Sequence, residues 1–403
     1  MNEGNLIVAQ GGGPTMATNS SLCGVVEQAL DEDAIGEIYG ARYGLEGALH
    51  ADLVDLRAEP RDTLEAVARA PGAALGSSRA RLTEEDYERV LETFEDYSVQ
   101  YFLYIGGNGS MAACQKLHKR AADTETDVQV IGIPQTVDND LLGTDHCPGY
   151  GSAARYYAAS VAELGRDVES LPTPVSIFET MGRGAGWLAA ATALAKSRER
   201  PRAAQAPHLI YVPEQPPARE RFLNDVQRVY DDRGWVVATV SEGVVESLSL
   251  NCTPEATPDD FGRGVPGGAA AALAGLVGDE LRLRARSEKP GLCGRASVAH
   301  ASLVDQREAR ALGRAGVRRI AAGERGVMVT LRREGGPKYG CAIEGAPLGE
   351  VAGAERTLPD RFVNEAGNGV TPAFHDYAAP LIGPPLPPLA RLDARPTASP
   401  ERE

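Results

Sequence analysis

Residues 99–111 read VQYFLYIGGNGSM. A run of aromatic and aliphatic residues stops at Gly106 and Gly107, and Asn108, Gly109 and Ser110 lead into a helix-like stretch, SMAACQKLHKRA. An apolar run without alternation marks a strand covered on both faces, the habit of a parallel sheet. The same succession of strand, glycines and helix stands at the N-terminus: LIVAQ (6–10), then Gly11, Gly12 and Gly13, then SSLCGVVEQAL (20–30). Further strand candidates are EIYGARYG (37–44), VQVIGIP (128–134), PVSIFET (174–180), HLIYVPE (208–214) and WVVATVSEG (235–243). Between them lie the helix-like GSAARYYAASVAEL (151–164) and GAGWLAAATALAKS (184–197). Strands alternating with helices predict an α/β fold with mainly parallel sheets wrapped on both faces. A chain of 403 residues is long enough for two such lobes.

Composition narrows the function classes. A net charge of −15 and a pI near 5.0 oppose non-specific binding to nucleic acid or anionic membranes, both of which need a basic face. The six cysteines are scattered without a CxxC pair, so they read as reduced thiols. The start, MNEGNLIVAQ, lacks the basic segment and long apolar run of a signal peptide. No run approaches the ~18–20 apolar residues of a membrane span. A cytoplasmic protein is expected. The tail from Gly383, GPPLPPLARLDARPTASPERE, is proline-rich and expected to be disordered over 383–403.

In parallel sheets, ligands gather beyond the carboxyl ends of the strands. The distinctive residues fall there: GGGP (11–14), GGNGS (106–110), PQTVDND (134–140), MGR (181–183) and SEG (241–243). Glycines between strand and helix let backbone N–H groups approach a phosphate, aided by the helix dipole. They serve equally to close tight turns, and neither loop is a Walker A motif or a GxGxxG fingerprint. Asp31 and Asp33 sit where a ribose-binding acid of a dinucleotide fold would, but the glycine spacing is wrong for one. In the segment containing Asp138 and Asp140, an extended backbone would point both carboxylates the same way. One would hold Mg²⁺ while the other takes a proton from an attacking hydroxyl. An Asx-rich turn explains Asp-Asn-Asp as well. Arg79, Arg183 and Arg295 stand among small residues and suit phosphate oxygens, and Glu242 suits sugar hydroxyls.

Taken together, these motifs resemble phosphofructokinases, in particular the pyrophosphate-dependent branch. The resemblance runs from AQGGGPTMATNSSLCGVV through ALGSSR, IGGNGSM, GIPQTVDNDL, TDHCPGYGSAARY, MGRGAGW and LIYVPE to NEAGNGVTPAFHDYAAPLI (364–382). It implies two similar three-layer α/β lobes with the active site in the cleft between them, commonly in a homodimer or homotetramer. Residues 1–142 and about 290–380 would form the phosphoryl-donor lobe, and 143–289 the sugar-phosphate lobe. The resemblance assigns Gly11, Gly12, Gly13, Arg79, Gln135 and the loop Gly107, Asn108, Gly109 and Ser110 to the donor. Thr136 and Asp138 would face the acceptor, Asp138 as general base. Asp140, with Asn108 through water, would serve Mg²⁺. Met181, Gly182, Arg183, Glu242 and Arg295 would hold the sugar phosphate, fructose 6-phosphate first among candidates. Arg183 would also offset charge on the transferring phosphoryl group.

Several positions depart from that branch. Relatives that use pyrophosphate resemble GG(D/N)DS at the donor loop and PKT before the aspartates; here Gly109 and Gln135 stand instead of Asp and Lys. Gly109 leaves room for a nucleotide's α-phosphate. Loss of the Lys removes a charge-assisted contact worth roughly 1.5–3 kcal/mol to a bare pyrophosphate. ATP is therefore the expected donor. Gly294, Ala299 and Pro174 replace a Gln, a His and an Arg of the acceptor pocket. A pentose phosphate, cyclitol phosphate or specialised intermediate is thus an alternative acceptor. A catalytically silent regulatory paralogue is a third reading, opposed by the intact Asp138 and Asp140.

Overall fold

The computed structural model describes residues 4–78, 80–196, 205–244, 268–336 and 338–392. Its strands are β1 Gly4–Gln10, β2 Ile35–Ala41, β3 Leu53–Asp55, β4 Val99–Gly106, β5 Gln129–Pro134, β6 Val175–Thr180, β7 Leu209–Tyr211, β8 Val236–Ser241, β9 Ala285–Glu288, β10 Val327–Arg333 and β11 Cys341–Pro347. The long helices are α1 Thr18–Leu30, α2 Glu84–Asp96, α3 Asn108–Asp123, α4 Tyr150–Ser170, α5 Arg219–Arg233, α6 Ala269–Leu281 and α7 Leu303–Ala321. Two sheets form, ordered β11-β10-β5-β4-β1-β2-β3 and β7-β8-β6-β9.

The first sheet is parallel from β2 through β1, β4 and β5 to β10, and closes at both edges with an antiparallel strand, β3 and β11. Because successive strand side chains face opposite ways, β1 splits its apolar residues between two layers. Leu6 and Val8 pack with Leu22 and Val26 of α1 and Leu312 and Ile320 of α7. Ile7 and Ala9 pack with Tyr87 and Phe94 of α2 and Met111 and Leu117 of α3. α1 and α7 cross closely because Gly24 and Gly313 carry no Cβ. One at 24 would strike the carbonyl of Arg310, and one at 313 that of Ser21.

The second sheet is wholly parallel. On one face, Val175, Ile177 and Val236 pack against Phe222 and Val226 of α5 and Leu273 and Val277 of α6. On the other, Phe178, Ile210 and Val237 meet Tyr157 and Val161 of α4 and the buried Trp187. These are two α/β lobes with mainly parallel sheets.

The closing segment divides between the lobes. Residues 303–347 supply α7, β10 and β11 to the first, whereas Leu358, Phe362, Phe374 and Leu381 join Trp187 and Tyr157 in the core beside the second sheet. Residues 383–392 form no helix or strand, yet Arg155 donates to the carbonyls of Ile382 (2.9 Å) and Pro384, and Arg391 pairs with Glu169 of α4. The rest of the expected disordered tail, 393–403, lies outside the described residues.

Candidate active site

β1, β4 and β5 end side by side, which brings three of the singled-out loops together. Gln135 N–H donates to the carbonyl of Gly106 (2.9 Å), tying the loop after β5 to the one after β4. The space beside Gly107, where a Cβ would sit, is 3.4 Å from Cβ of Thr136, and that beside Gly12 is 3.9 Å from the amide of Gly107. Gly12 reaches this position at φ +73°, a conformation glycine adopts without strain. Gly107 precedes the first residue of α3, so Asn108, Gly109 and Ser110 make up a helical first turn, whose N–H groups lack intrahelical partners.

Not every expected donor residue faces this space. The N–H of Gly11 is spent on the carbonyl of Ile105 (2.8 Å), and the residue is glycine because Tyr104 and Ser110 crowd it. Ser110 is buried behind the loop, sharing a hydrogen bond with the phenol of Tyr104. Gln135 is also buried and turns its amide to the hydroxyl of Thr15. Gly109 is exposed, and Gly13 partly so. Arg79 lies outside the described residues; its neighbour Ser78 bridges Gly11.

The acid pair is not held by an extended strand. Asn139, between the two aspartates, has φ +56°, a left-handed value that Asn tolerates better than most residues. Its side chain secures the turn, donating to the Tyr377 hydroxyl (2.9 Å) and accepting from Cys147 N–H (2.9 Å). Asp138 N–H donates to the Thr136 hydroxyl (3.1 Å), and Asp140 accepts from Nδ2 of Asn108 (2.8 Å). Burial, then the charges of Glu242 and Glu355, push Asp138 up to about 6, against the pull of Arg295 and Arg183. Burial, then Asp138 and Glu355, push Asp140 up to about 7. Two carboxyls raised into the neutral range at one strand end mark a place built for proton or cation traffic.

The second group comes from β6 and β8. Glu242 N–H donates to the carbonyl of Thr180 (3.1 Å), and the Ser241 hydroxyl donates to the carbonyl of Gly182. Gly182 sits at φ +114°, and a Cβ there would be 2.5 Å from the carbonyl oxygen of Ala185. A side chain at Gly243 would strike the carbonyl of Arg183. Burial, then Glu179, push Glu242 up to about 7, against the pull of Arg183 and Lys289. Since Arg183, Arg295 and Glu242 all act on Asp138, the two groups face one another.

Several site residues carried no sequence signal that singled them out. Glu355 is exposed and bridges Leu141, with Oε2 3.0 Å from where a Cβ on Gly184 would sit. Lys289 lies 3.5 Å from the buried Glu179. Tyr157 accepts from Met181 N–H (3.4 Å), and its phenol fills the space that a side chain at Gly294 would need. At 294 the phenol of Tyr157 thus leaves no room for a side chain.

Among the described residues no three His, Cys, Asp or Glu side chains cluster as a cation cage. Mg²⁺ does not need one, since it commonly takes one or two protein oxygens and fills its shell with water and substrate phosphates. Oδ1 of Asn108 is buried without a hydrogen-bond partner, beside Asp140. That orphaned oxygen and the carboxylate next to it form a donor set that fits such an ion.

The phosphofructokinase family profile matches residues 5–319. The chain belongs to the phosphofructokinase family. It is 37% identical over 391 residues, spanning 95% of this chain and 92% of the other, to a pyrophosphate–fructose 6-phosphate 1-phosphotransferase of Xanthomonas campestris. It is 34% identical over 386 residues to a sulfofructose kinase of Alkalicoccus urumqiensis, with 95% and 96% covered. The crystal structure of a pyrophosphate-dependent phosphofructokinase from Marinobacter aquaeolei superposes with a TM-score of 0.84 at 35% identity, covering 99% of this chain and 98% of that one. As a member of this phosphofructokinase family, the protein is a phosphotransferase acting on a sugar hydroxyl. Among the described residues no helix is long and apolar enough to cross a membrane.

Proposed function

We propose that the protein transfers a phosphoryl group from ATP to the free primary hydroxyl of fructose 6-phosphate, with Asp138 as general base. The observation that carries this reading is the raised acid pair, Asp138 and Asp140, lying between the glycine loops and the Arg183–Glu242 group. Asp138 accepts the proton of the attacking hydroxyl. Thr136 fixes its main chain, and Glu242 and Arg295 set its charge balance. Arg183 and Arg295 offset the charge that builds on the equatorial oxygens of the transferring group, the main catalytic need in this chemistry. Asp140 and Oδ1 of Asn108 are the residues that would hold Mg²⁺, which would supply charge neutralisation for the donor's phosphates. Met181 and Gly182, in the turn after β6 and tied to Tyr157 and Ser241, would line the acceptor side.

ATP is favoured by Gly109, exposed and without a side chain at the helix start, and by Gln135, neutral and engaged with Thr15. A bare pyrophosphate would find neither an Asp at 109 nor a Lys at 135. Pyrophosphate is the second reading, favoured by relatives named for that donor at 35–38% identity across nearly the whole chain. For the acceptor, the alternative is a sugar carrying another terminal anion. The sulfofructose kinase relative supports it, as does the phenol of Tyr157 standing where a side chain at Gly294 would lie.

A donor-by-acceptor matrix tests both choices, crossing ATP and pyrophosphate with fructose 6-phosphate, pentose phosphates and 6-sulfofructose, with Mg²⁺ throughout. Turnover is expected with ATP and fructose 6-phosphate and should be lost in Asp138→Asn, a fall of about 100-fold or more for a missing base. Turnover with pyrophosphate alone would overturn the donor assignment, and full activity in Asp138→Asn would overturn the base.

A further inference from the structure

The turn that carries both aspartates is gripped from a distant part of the chain. Arg356 donates to the carbonyl of Asn139 through Nη2 (2.7 Å) and Nε (3.2 Å), and through Nη1 to those of Thr144 (2.8 Å) and Asp145. Its own main-chain N–H donates to the carbonyl of Asp140 (2.7 Å). The guanidinium lies over the indole of Trp187, 4.6 Å from the ring centroid, and Nε1 of Trp187 returns a bond to the carbonyl of Arg356 (3.3 Å). Tyr377 works from the same side. Its hydroxyl accepts from Nδ2 of Asn139 (2.9 Å) and donates to the carbonyl of Asp145 (2.9 Å).

These bonds converge on the peptide units on either side of Asp140 and on the left-handed residue that separates it from Asp138. Asn139 at φ +56° holds only while its surroundings insist on it. A planar guanidinium is suited to grip three carbonyls at once, which a Lys ammonium on a flexible stem cannot reproduce. The indole beneath fixes the plane of the guanidinium, so the grip is a rigid one.

We propose that Arg356, assisted by Tyr377, is a positioning residue that sets the Asp138 and Asp140 carboxylates for phosphoryl transfer. The inference rests on the reading of Asp138 as the base. Arg356 touches no substrate in this role; it acts through the main chain of the acid turn. Displacing a reacting group by about 1 Å costs on the order of 100-fold in rate, and binding contacts elsewhere are left in place.

The experiment compares Arg356→Ala, Arg356→Lys and Tyr377→Phe with the wild type, and Asp138→Asn as control, using full-length protein and the donor–acceptor pair that supports wild-type turnover. Arg356→Ala should lose about 100-fold in kcat with the acceptor KM within about threefold of wild type. Millimolar guanidinium ion should restore part of the lost rate by occupying the vacated site. Arg356→Lys should fall between, and Tyr377→Phe should lose about threefold to tenfold in kcat alone, as expected for one or two hydrogen bonds. A folded Arg356→Ala with wild-type kcat would overturn the proposal. So would kcat and KM worsening together without any response to guanidinium, the mark of a residue that merely holds the fold. If Arg356→Ala is insoluble, unchanged kcat in both Arg356→Lys and Tyr377→Phe would overturn it. In each case an inactive Asp138→Asn leaves the base assignment standing, whereas an active one refutes that assignment first.

Discussion

Asp140→Asn is expected to stabilise the ligand-free protein, by an amount that grows with pH, while stopping turnover. Burial, followed by Asp138 and Glu355, carries the Asp140 carboxyl from its ordinary 3.8 to about 7. The folded protein therefore keeps a proton there that the unfolded chain has released. Stability from this group is complete below the unfolded value and is lost as pH rises through the folded one. At about 1.4 kcal/mol per pH unit, the raised Asp140 opposes folding by about 4 kcal/mol at pH 8, where it is ionised in both states, and by about 2 kcal/mol at pH 5, where only the unfolded chain has ionised. Asp140 keeps part of its surface in solvent, so about half of each figure is the working value. Asn at 140 still offers an oxygen to Nδ2 of Asn108, and its other costs do not vary with pH. The gain over wild type should thus be about 1 kcal/mol larger at pH 8 than at pH 5, about 1 °C in melting temperature for a chain of 403 residues. Thermal melts of both proteins at the two pH values, without divalent cations, read this directly. An equal gap at both, or a larger gap at pH 5, would refute the picture of a carboxylate charged against its surroundings. Adding Mg²⁺ should raise the melting temperature of the wild type and leave the variant nearly unmoved.

Two further outcomes follow from the same turn and its neighbours. Asp138, raised to about 6, must be ionised to act as base, so kcat/KM should fall with an acid limb near pH 6, well above an ordinary aspartate's 3.8. Glu242 is itself raised to about 7 and so is largely neutral near pH 6, and Glu242→Gln should move the limb only slightly to lower pH; a large shift in the pH–rate profile would show that Glu242 is charged there. Asn139→Ala keeps a β-carbon in the left-handed region without the amide that makes Asn tolerant of it, and leaves the Tyr377 hydroxyl and Cys147 N–H without their partner. A loss of about 2–3 kcal/mol in denaturant unfolding is expected, with Asn139→Gly recovering only the backbone share, about 0.5–1 kcal/mol.

The parts of the fold that could be read in advance are those whose burial repeats along the chain. β1, β4, β5, β6 and β8 are continuous apolar runs because helices cover both faces, and each appeared close to its observed bounds. α2 carries an equally local signature, a capping box between Thr83 and Asp86 ahead of Tyr87, Val90 and Phe94, although so many acidic residues disguise it as a solvated stretch. β3 and β11 are different. Three residues of Leu53–Asp55 and the half-exposed Cys341–Pro347 pair antiparallel at the sheet edges, where one strand partner and one covered face leave little pattern to see.

For the site the division runs between strand ends and everything that braces them. Asp138, Glu242 and Arg183 could be singled out as candidates because a parallel sheet delivers its loops to one edge, so position after a strand already carries functional weight. The backbone of the acid turn escaped that logic. An extended segment and an Asx-rich turn were both open expectations; the structure has a turn, whose left-handed Asn139 is held by Arg356, 217 residues away in sequence. Arg356 grips main-chain carbonyls, and a carbonyl is the same group at every residue, so neither end of the contact marks the other in the sequence. Gly294 has a similar history. As a letter it reads as a missing side chain, and only the phenol of Tyr157 lying in the vacated space turns the absence into a wall. The chemistry of this cleft was written in residue types, whereas the geometry that aims it rests on backbone contacts and excluded volume, which residue types alone do not encode.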